Sequence, residues 1–131
     1  AFTNASLGLV HSLAHKIGGE FGVTHGLANA ILMPYIINFN RRFSDKYDRV
    51  EKLLGLTDLA ESVRQLNAKL GIPCCFKACD EVDFAEAKFR DVLERMSVNV
   101  HADPCTLTNP GKPTVADVKA LYTAAYYGTA I

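Results

Sequence analysis

Hydrophobic positions recur at the helical period along most of this chain. In the first run, residues 6–17, the side chains of Leu7, Val10, His11, Ala14 and Ile17 fall on or near one stripe. Such spacing is typical of a helix with one buried face. No run of four or more residues alternates between apolar and polar positions with turn residues on both sides, which is the signal of a strand. The pattern therefore predicts an all-α protein.

Glycines, prolines and capping residues predict where these helices begin and end. We expect the first helix to end at Gly18-Gly19, and the second to be buried and to bend rather than end at Pro34. Residues 6–17 and 26–40 are predicted to be helices, the second with an N-cap at Thr24. The third helix begins after Ser44 and ends at Gly55, and the fourth has Thr57 as its N-cap and ends at Gly71. The fifth runs from about 83 to 96, and the last has a capping box at Thr114 and Asp117 and ends at Gly128. Between the last two helices we expect a loop, "NVHADPCTLTNPGKP".

Composition and charge are those of an ordinary globular domain. The 131 residues are 49% hydrophobic and 21% charged, enough for one domain with a core but few for two. Fourteen basic and fourteen acidic side chains cancel and are scattered. Without a basic field we expect neither nucleic acid nor a membrane as a partner. The longest apolar stretch, "AILMPYIINF", is too short to span a bilayer.

The four cysteines do not form a recognisable metal or disulfide pattern. Cys74, Cys75, Cys79 and Cys105 lack the paired spacing of a zinc knuckle, and adjacent cysteines suit a disulfide framework poorly. We expect free thiols and a reducing, cytoplasmic setting. For the first three we expect small, buried or half-buried positions.

Three of the four histidines, His11, His15 and His25, lie within fifteen residues. His11 and His15 are four residues apart, so on a helix they share one face and could hold one ion together. The zinc-protease motif has the same spacing but requires Glu after the first histidine, where Ser12 stands. Protease chemistry of that type is therefore excluded.

His11 and His25 are fourteen residues apart and can meet only if the chain turns back between them. On an unbroken helix they would be separated by about 21 Å along the axis. Two imidazoles that share one zinc ion each lie about 2.0–2.1 Å from it. Gly18, Gly19 and Gly22 supply a break, and His25 then stands at the start of the next helix. The glycines make a site between two helices physically possible.

A simpler interpretation is that these histidines are satisfied core residues. Two imidazoles are also too few for a catalytic metal site, which usually has three protein ligands and an open position. Further ligands would have to come from His101, from later carboxylates or from a part of the protein outside this sequence. Spacing alone leaves both interpretations open.

The stretch "NASLGLVHSLAHKIGGEFGVTHGLANAILMPYIINFN" resembles the signature region of the iron-containing (group III) alcohol dehydrogenases. That family shows G-x-x-H-x-x-A-H-x-x-G, then H-G-x-x-N-A, and then a P-x-x-x-x-F-N ending. Here these motifs read "GLVHSLAHKIG", "HGLANA" and "PYIINFN". The tail "DPCTLTNP", followed by a terminal helix, is similar as well.

The resemblance implies a fold and a domain organisation. Members have an N-terminal α/β domain that binds NAD(P) and a C-terminal all-helical domain that carries the metal, with the active site between them. Residues 1–131 are then the helical metal-binding domain, a bundle-like unit of the dehydroquinate synthase-like type. On this basis we expect it to be truncated on its N-terminal side and the nucleotide-binding domain to be absent. Family members commonly dimerise, so a homodimer is a further expectation.

The resemblance also implies roles for single residues. In the family one Asp and three His hold Fe²⁺, or sometimes Zn²⁺. His11 and His25 match the last two of these ligands, and the first two lie upstream of this sequence. His15 matches a catalytic pocket residue near nicotinamide and substrate, suited to relaying the hydroxyl proton to water. Phe2 and Cys105 match positions that line the same substrate and cofactor pocket.

The implied function is the interconversion of a primary alcohol and an aldehyde. Hydride would be exchanged with NAD or NADP, bound mainly by the missing N-terminal domain, and this chain alone is expected to be inactive. Such an enzyme stands alone or follows an aldehyde dehydrogenase domain in a bifunctional protein. Two alternatives are a non-catalytic helical binding module, which keeps the histidines for packing, and a relative of the glycerol dehydrogenases.

Overall fold

The computed structural model describes residues 2–43, 45–80, 83–103 and 113–129, with the backbone alone at 2–7 and 46. These ranges hold six α-helices and one short 3-10 turn at Phe76–Ala78, and they contain no strand. The helices are α1 (Phe2–Phe21), α2 (His25–Asn40), α3 (Lys46–Leu54), α4 (Leu59–Lys69), α5 (Glu86–Ala102) and α6 (Val115–Tyr127). The all-α prediction is confirmed.

The first helix ends later than the glycine pair predicts. α1 continues through Gly18 and Gly19 to Phe21, so the expected end at Gly18-Gly19 was wrong. A helix interior tolerates glycine at a cost of about 1 kcal/mol relative to Ala, which packing can offset. The turn instead uses Gly22, whose φ of +74° lies in the left-handed region that favours glycine. The Gly22 N–H donates to the Gly18 carbonyl oxygen at 2.8 Å.

The next three helices follow the predicted pattern, with different caps on α3 and α4. α2 begins directly after Thr24 and runs through Pro34 to Asn40. The N-cap of α3 is Asp45 rather than the predicted Ser44, which lies outside the described residues, and the helix ends at Gly55, as predicted, with a φ of +69°. The cap of α4 is Asp58 rather than the predicted Thr57, because the Asp58 carboxylate accepts a hydrogen bond from the Glu61 N–H at 3.2 Å. Thr and Asp are both good N-cap residues, so the backbone geometry decides which of these two neighbours caps the helix.

α5 begins three residues later than predicted and extends six residues further, to Ala102. Its buried face continues through Met96 to Val100, and this burial carries the helix into the segment for which the sequence predicted a loop. Most of the remainder of that predicted loop, 104–112, lies outside the described residues. α6 confirms both of its predicted ends, since Thr114 and Asp117 form a reciprocal capping box and Gly128 follows with a φ of +77°.

The core lies between α1, α2, α5 and α6. α1 packs on α2 and α5, and α6 packs on α5 and α2. Their facing side chains form one apolar cluster, in which Leu13, Ile36, Met96 and Leu121 are almost fully buried. The buried hydroxyl of Tyr122 donates to the Leu13 carbonyl oxygen at 2.6 Å, so α6 is held against α1 by a satisfied polar contact.

Two expectations from composition concern membranes and cysteines. Among the described helices, none is both long and apolar enough to cross a membrane. The described cysteines form no disulfide; Cys75 and Cys79 are buried, as expected, whereas Cys74 is exposed. Cys105 lies outside the described residues.

Candidate metal and substrate site

The imidazole rings of His11 and His25 are in direct contact. The Nδ1 atom of His11 lies 2.7 Å from the Nε2 atom of His25. The rings stack with centroids 4.7 Å apart and an interplanar angle of 19°. Both side chains are exposed, so the two nitrogens meet at the surface and not inside the core. The interpretation of both histidines as core residues does not fit this placement.

The backbone between α1 and α2 explains how residues fourteen apart can meet. After Gly22 the chain runs back along α1, and it passes so close that a Cβ on Gly18 would lie 3.1 Å from the carbonyl oxygen of Val23. Gly22 thus provides the reversal and Gly18 the close approach. α2 then begins at His25, whose ring reaches the ring of His11 in the middle of α1.

His15 lies one helical turn after His11, is exposed, and faces the same cleft. A cavity of about 260 Å³ is lined by His11, Ser12, His15, His25 and Asp103. A neighbouring cavity of about 190 Å³ is lined by Ala14, His15, Gly18, Gly19, Val23 and His25. His15 and His25 form part of both walls. The structure therefore brings together all three histidines that the sequence singled out.

Asp103 is a member of this site that the sequence analysis missed. It follows the last residue of α5, and its Oδ2 lies 3.3 Å from the Nζ of Lys16 in α1. No local spacing could reveal a pair of residues this far apart in the chain. The available signal was its position at the start of "DPCTLTNP", the motif already tied to the pocket by resemblance.

Phe2 and Cys105 are not placed by the structure. The side chain of Phe2 and the whole of Cys105 lie outside the described residues. Another cleft, of about 400 Å³, lies elsewhere and is lined by Gly71, Ile72, Pro73, Ala78 and Asp80. Among its described lining residues only Asp80 is ionisable, whereas three imidazoles and a carboxylate line the histidine cleft, so the histidine cleft is the better candidate site.

The histidine pair fits part of a metal site. Two nitrogens at about 2.0–2.1 Å from one ion are about 2.8–3.4 Å apart, from right-angled to tetrahedral geometry, slightly more than the 2.7 Å contact seen here. Within the described ranges, no three His, Cys, Asp or Glu side chains are grouped so that they could hold an ion. His101 and the described carboxylates therefore do not complete the ligand set, contrary to one of the possibilities raised above. The chain's donor set fits two ligands of a larger site.

Comparison with known proteins identifies the family. The profile described as "Fe-containing alcohol dehydrogenase family, C-terminal" matches residues 1–126. An NADPH-dependent butanol dehydrogenase of Clostridium saccharobutylicum is 36% identical, with 100% of this chain and 36% of that protein aligned. An alcohol dehydrogenase of Thermococcus barophilus is 38% identical, with 97% and 33% aligned. A bifunctional aldehyde-alcohol dehydrogenase of Escherichia coli is 31% identical, with 98% and 17% aligned.

Solved structures agree with the sequence comparison. The iron-containing alcohol dehydrogenase of Thermococcus thioreducens superposes with a TM-score of 0.78 at 34% identity, covering 92% of this chain and 32% of that one. A 1,3-propanediol oxidoreductase, at 23% identity and a TM-score of 0.73, supports the fold alone. This chain spans about a third of the length of the first relatives it matches. It belongs to the Fe-containing alcohol dehydrogenase family and corresponds to the all-helical C-terminal part of its members.

Proposed function

We propose that this chain is the C-terminal, metal-binding catalytic part of an NAD(P)-dependent alcohol dehydrogenase that interconverts a primary alcohol and an aldehyde. The observation that carries the proposal is the 2.7 Å approach of the His11 and His25 ring nitrogens, with His15 beside them in one cleft. Family membership supports the reaction class, because the relatives described above are named as alcohol dehydrogenases.

His11 and His25 are the residues of this chain that would hold the ion. Both side chains are exposed, so each can turn a ring nitrogen toward a shared ion by a small separation of the rings. A bound Fe²⁺ or Zn²⁺ supplies Lewis acidity toward the substrate oxygen. The further ligands would come from the part of the enzyme that precedes this chain.

His15 is the proposed proton carrier. An imidazole can both accept and donate a proton, and this one is open to solvent one turn from His11. It is placed to accept the hydroxyl proton and pass it to water as the alcohol is oxidised. In the overall reaction, alcohol and NAD(P)⁺ give aldehyde, NAD(P)H and a proton. The dinucleotide would be held mainly by the N-terminal domain, because this sequence has no glycine-rich phosphate loop.

The alternatives raised by the sequence are less well supported. A packing role for the histidines does not explain three exposed imidazoles around one cleft. The family match favours an alcohol dehydrogenase over a glycerol dehydrogenase relative. A bifunctional aldehyde-alcohol dehydrogenase is a second form of the same proposal, since relatives of that name match 98% of this chain. The complete reading frame decides between the two forms.

The direct test replaces the histidines one at a time in the full-length enzyme. We expect His11→Ala and His25→Ala each to lose bound metal, measured by elemental analysis per subunit, together with alcohol-dependent reduction of NAD(P)⁺. His101→Ala removes an exposed histidine that lines neither cavity of the histidine cleft, and it should change neither quantity. Normal metal content in the His11 and His25 variants would contradict the ligand assignment.

His15→Ala separates proton transfer from metal binding. We expect turnover to fall about 10²-fold or more, while metal content stays near that of the unaltered enzyme. The physical reason is that the ring lies beside the ligand pair without being part of its contact. Loss of metal comparable to that of His11→Ala would show that His15 is itself a ligand.

A further inference from the structure

The ion pair between Lys16 and Asp103 joins two elements at the histidine cleft. Lys16 directly follows His15 on α1, and Asp103 directly follows α5. The Asp103 N–H donates to the Val100 carbonyl oxygen at 3.1 Å, which ties this residue to the last turn of α5. The pair therefore connects the histidine-bearing part of α1 to the end of α5.

Both partners are largely shielded from water. The Lys16 side chain is 26% exposed and the Asp103 side chain is 15% exposed. Shielding from solvent strengthens an ion pair relative to the fully exposed pairs that contribute little. Asp103 also lines the cavity formed with His11, His15 and His25. The carboxylate is thus part of the wall of the proposed site, and the proposed reaction has so far given it no role.

We propose that Asp103 is a positioning residue of the histidine site: through its ion pair with Lys16 it holds the His11–His15 turn of α1 against the end of α5. The effect of Asp103 on catalysis rests on the proposed function. The orientation of the imidazoles themselves is a structural property and can be measured separately.

The chain contains a matched control, since a second ion pair joins the same two helices. Arg95 of α5 binds both carboxylate oxygens of Glu20 in α1, at 2.7 and 2.8 Å. Neither residue lines the two cavities around the histidines. Both pairs tether α1 to α5, but only the Lys16–Asp103 pair lies at the cleft. If both ion pairs only held the helices together, breaking either pair would change the histidine signals and kcat to a similar extent.

The first test needs no activity. In the 131-residue chain, the imidazole proton signals of His11, His15 and His25 are followed by NMR in Asp103→Asn and in Arg95→Met. We expect Asp103→Asn to shift the His11 and His15 signals well beyond any change in Arg95→Met. Equal changes in the two variants, or unchanged signals in Asp103→Asn, would overturn the positioning role.

The second test uses the full-length enzyme. We expect Asp103→Asn to lower kcat about 10- to 100-fold, the size of effect that displaced catalytic groups produce, with KM and metal content nearly unchanged. Lys16→Met should lower kcat similarly, and the double variant should be no worse than either single variant, because the proposed effect of both substitutions is the loss of their shared ion pair. Asp103→Glu keeps the charge and should recover part of the loss.

Two results distinguish a failure of this inference from a failure of the proposed function. If Arg95→Met lowers kcat as much as Asp103→Asn, or the Lys16 and Asp103 effects simply add, the positioning role is wrong. If the unaltered full-length enzyme oxidises no alcohol, the proposed function is wrong, and the NMR comparison alone then decides whether Asp103 positions the histidines.

Discussion

The contact between His11 and His25 depends on two glycines with different roles. Gly22 reverses the chain with a left-handed φ of +74°, and nothing lies within 4 Å of where its Cβ would be. Gly18 keeps a helical backbone but lies against the Val23 carbonyl oxygen. Gly19 has neither a left-handed φ nor a close neighbour. The same residue type therefore has three distinct environments within five positions.

Alanine substitutions should separate these environments. We expect Gly22→Ala to lower the free energy of unfolding by about 1–2 kcal/mol, because a side chain is strained in the left-handed region. Gly19→Ala is the matched control and should raise it by about 0.4–1 kcal/mol, since Ala favours the helix and restricts the unfolded chain. Urea unfolding of the isolated chain measures both. A destabilised Gly19→Ala, or a neutral Gly22→Ala, would contradict this account of the turn.

At the element scale, an ionic cluster organises the junction of α2, α3 and α4. Arg41, directly after α2, binds the Glu51 carboxylate of α3 with both terminal nitrogens, at 2.8 and 2.9 Å. Glu51 also accepts the Leu59 N–H at the start of α4. These hydrogen bonds, the one from Arg41 above all, hold the pKa of the Glu51 carboxyl below its usual range. One carboxylate thus joins three helices.

Arg41→Met should lower the free energy of unfolding by about 2–3 kcal/mol at neutral pH. The Glu51 side chain is only 9% exposed, and the substitution leaves its charge without the guanidinium. Arg49→Met is the control, because its ion pair with Asp45 is exposed on both sides and should contribute little. Equal losses of unfolding free energy in Arg41→Met and Arg49→Met would contradict the stabilising role of the contact between Arg41 and Glu51.

The same cluster predicts a dependence on pH. Because the folded-state pKa of Glu51 is lowered, its stabilising effect is complete above the ordinary carboxyl pKa of about 4.3 and is lost as pH falls through the lowered value. In Arg41→Met this acid-dependent loss should be smaller than in the unaltered chain, as measured by urea unfolding across that range.

In the molecule as a whole, the helices carry the two proposed metal ligands of this chain. α1 and α2 contribute to the core on one side and present His11 and His25 on the other. The first relatives that it matches are about three times as long. In the part of the chain that the structure describes, no third ligand is grouped with the two imidazoles, and two imidazoles alone make a weak metal site.

We therefore expect the isolated chain to bind Fe²⁺ or Zn²⁺ with a dissociation constant on the order of micromolar to millimolar. Such a dissociation constant corresponds to a binding free energy about half of the roughly 10–16 kcal/mol measured for a complete structural zinc site. It should show no alcohol-dependent reduction of NAD(P)⁺. Calorimetric titration and a dinucleotide absorbance assay measure the two quantities. Nanomolar affinity in the monomer, or any turnover, would mean that the ligands or the domain boundary are wrongly assigned.

Local features were largely predictable from the sequence because they depend on near neighbours. Helical period, the Thr114 capping box and the glycine after α3 each involve residues within a turn or two of one another. The end of α1 and the extent of α5 were not predicted correctly, because packing decides whether a helix tolerates glycine or continues. The sequence also identified His11, His15 and His25 as candidates.

Only the tertiary structure decided which of these groups meet. The sequence showed that His11 and His25 could come together; the path of the chain past Gly18 shows that they do, and at which atoms. The Lys16–Asp103 contact at the same cleft has no local signature. The physical reason is that periodicity and capping are properties of short segments, whereas a contact between distant residues depends on how whole helices pack around a shared core.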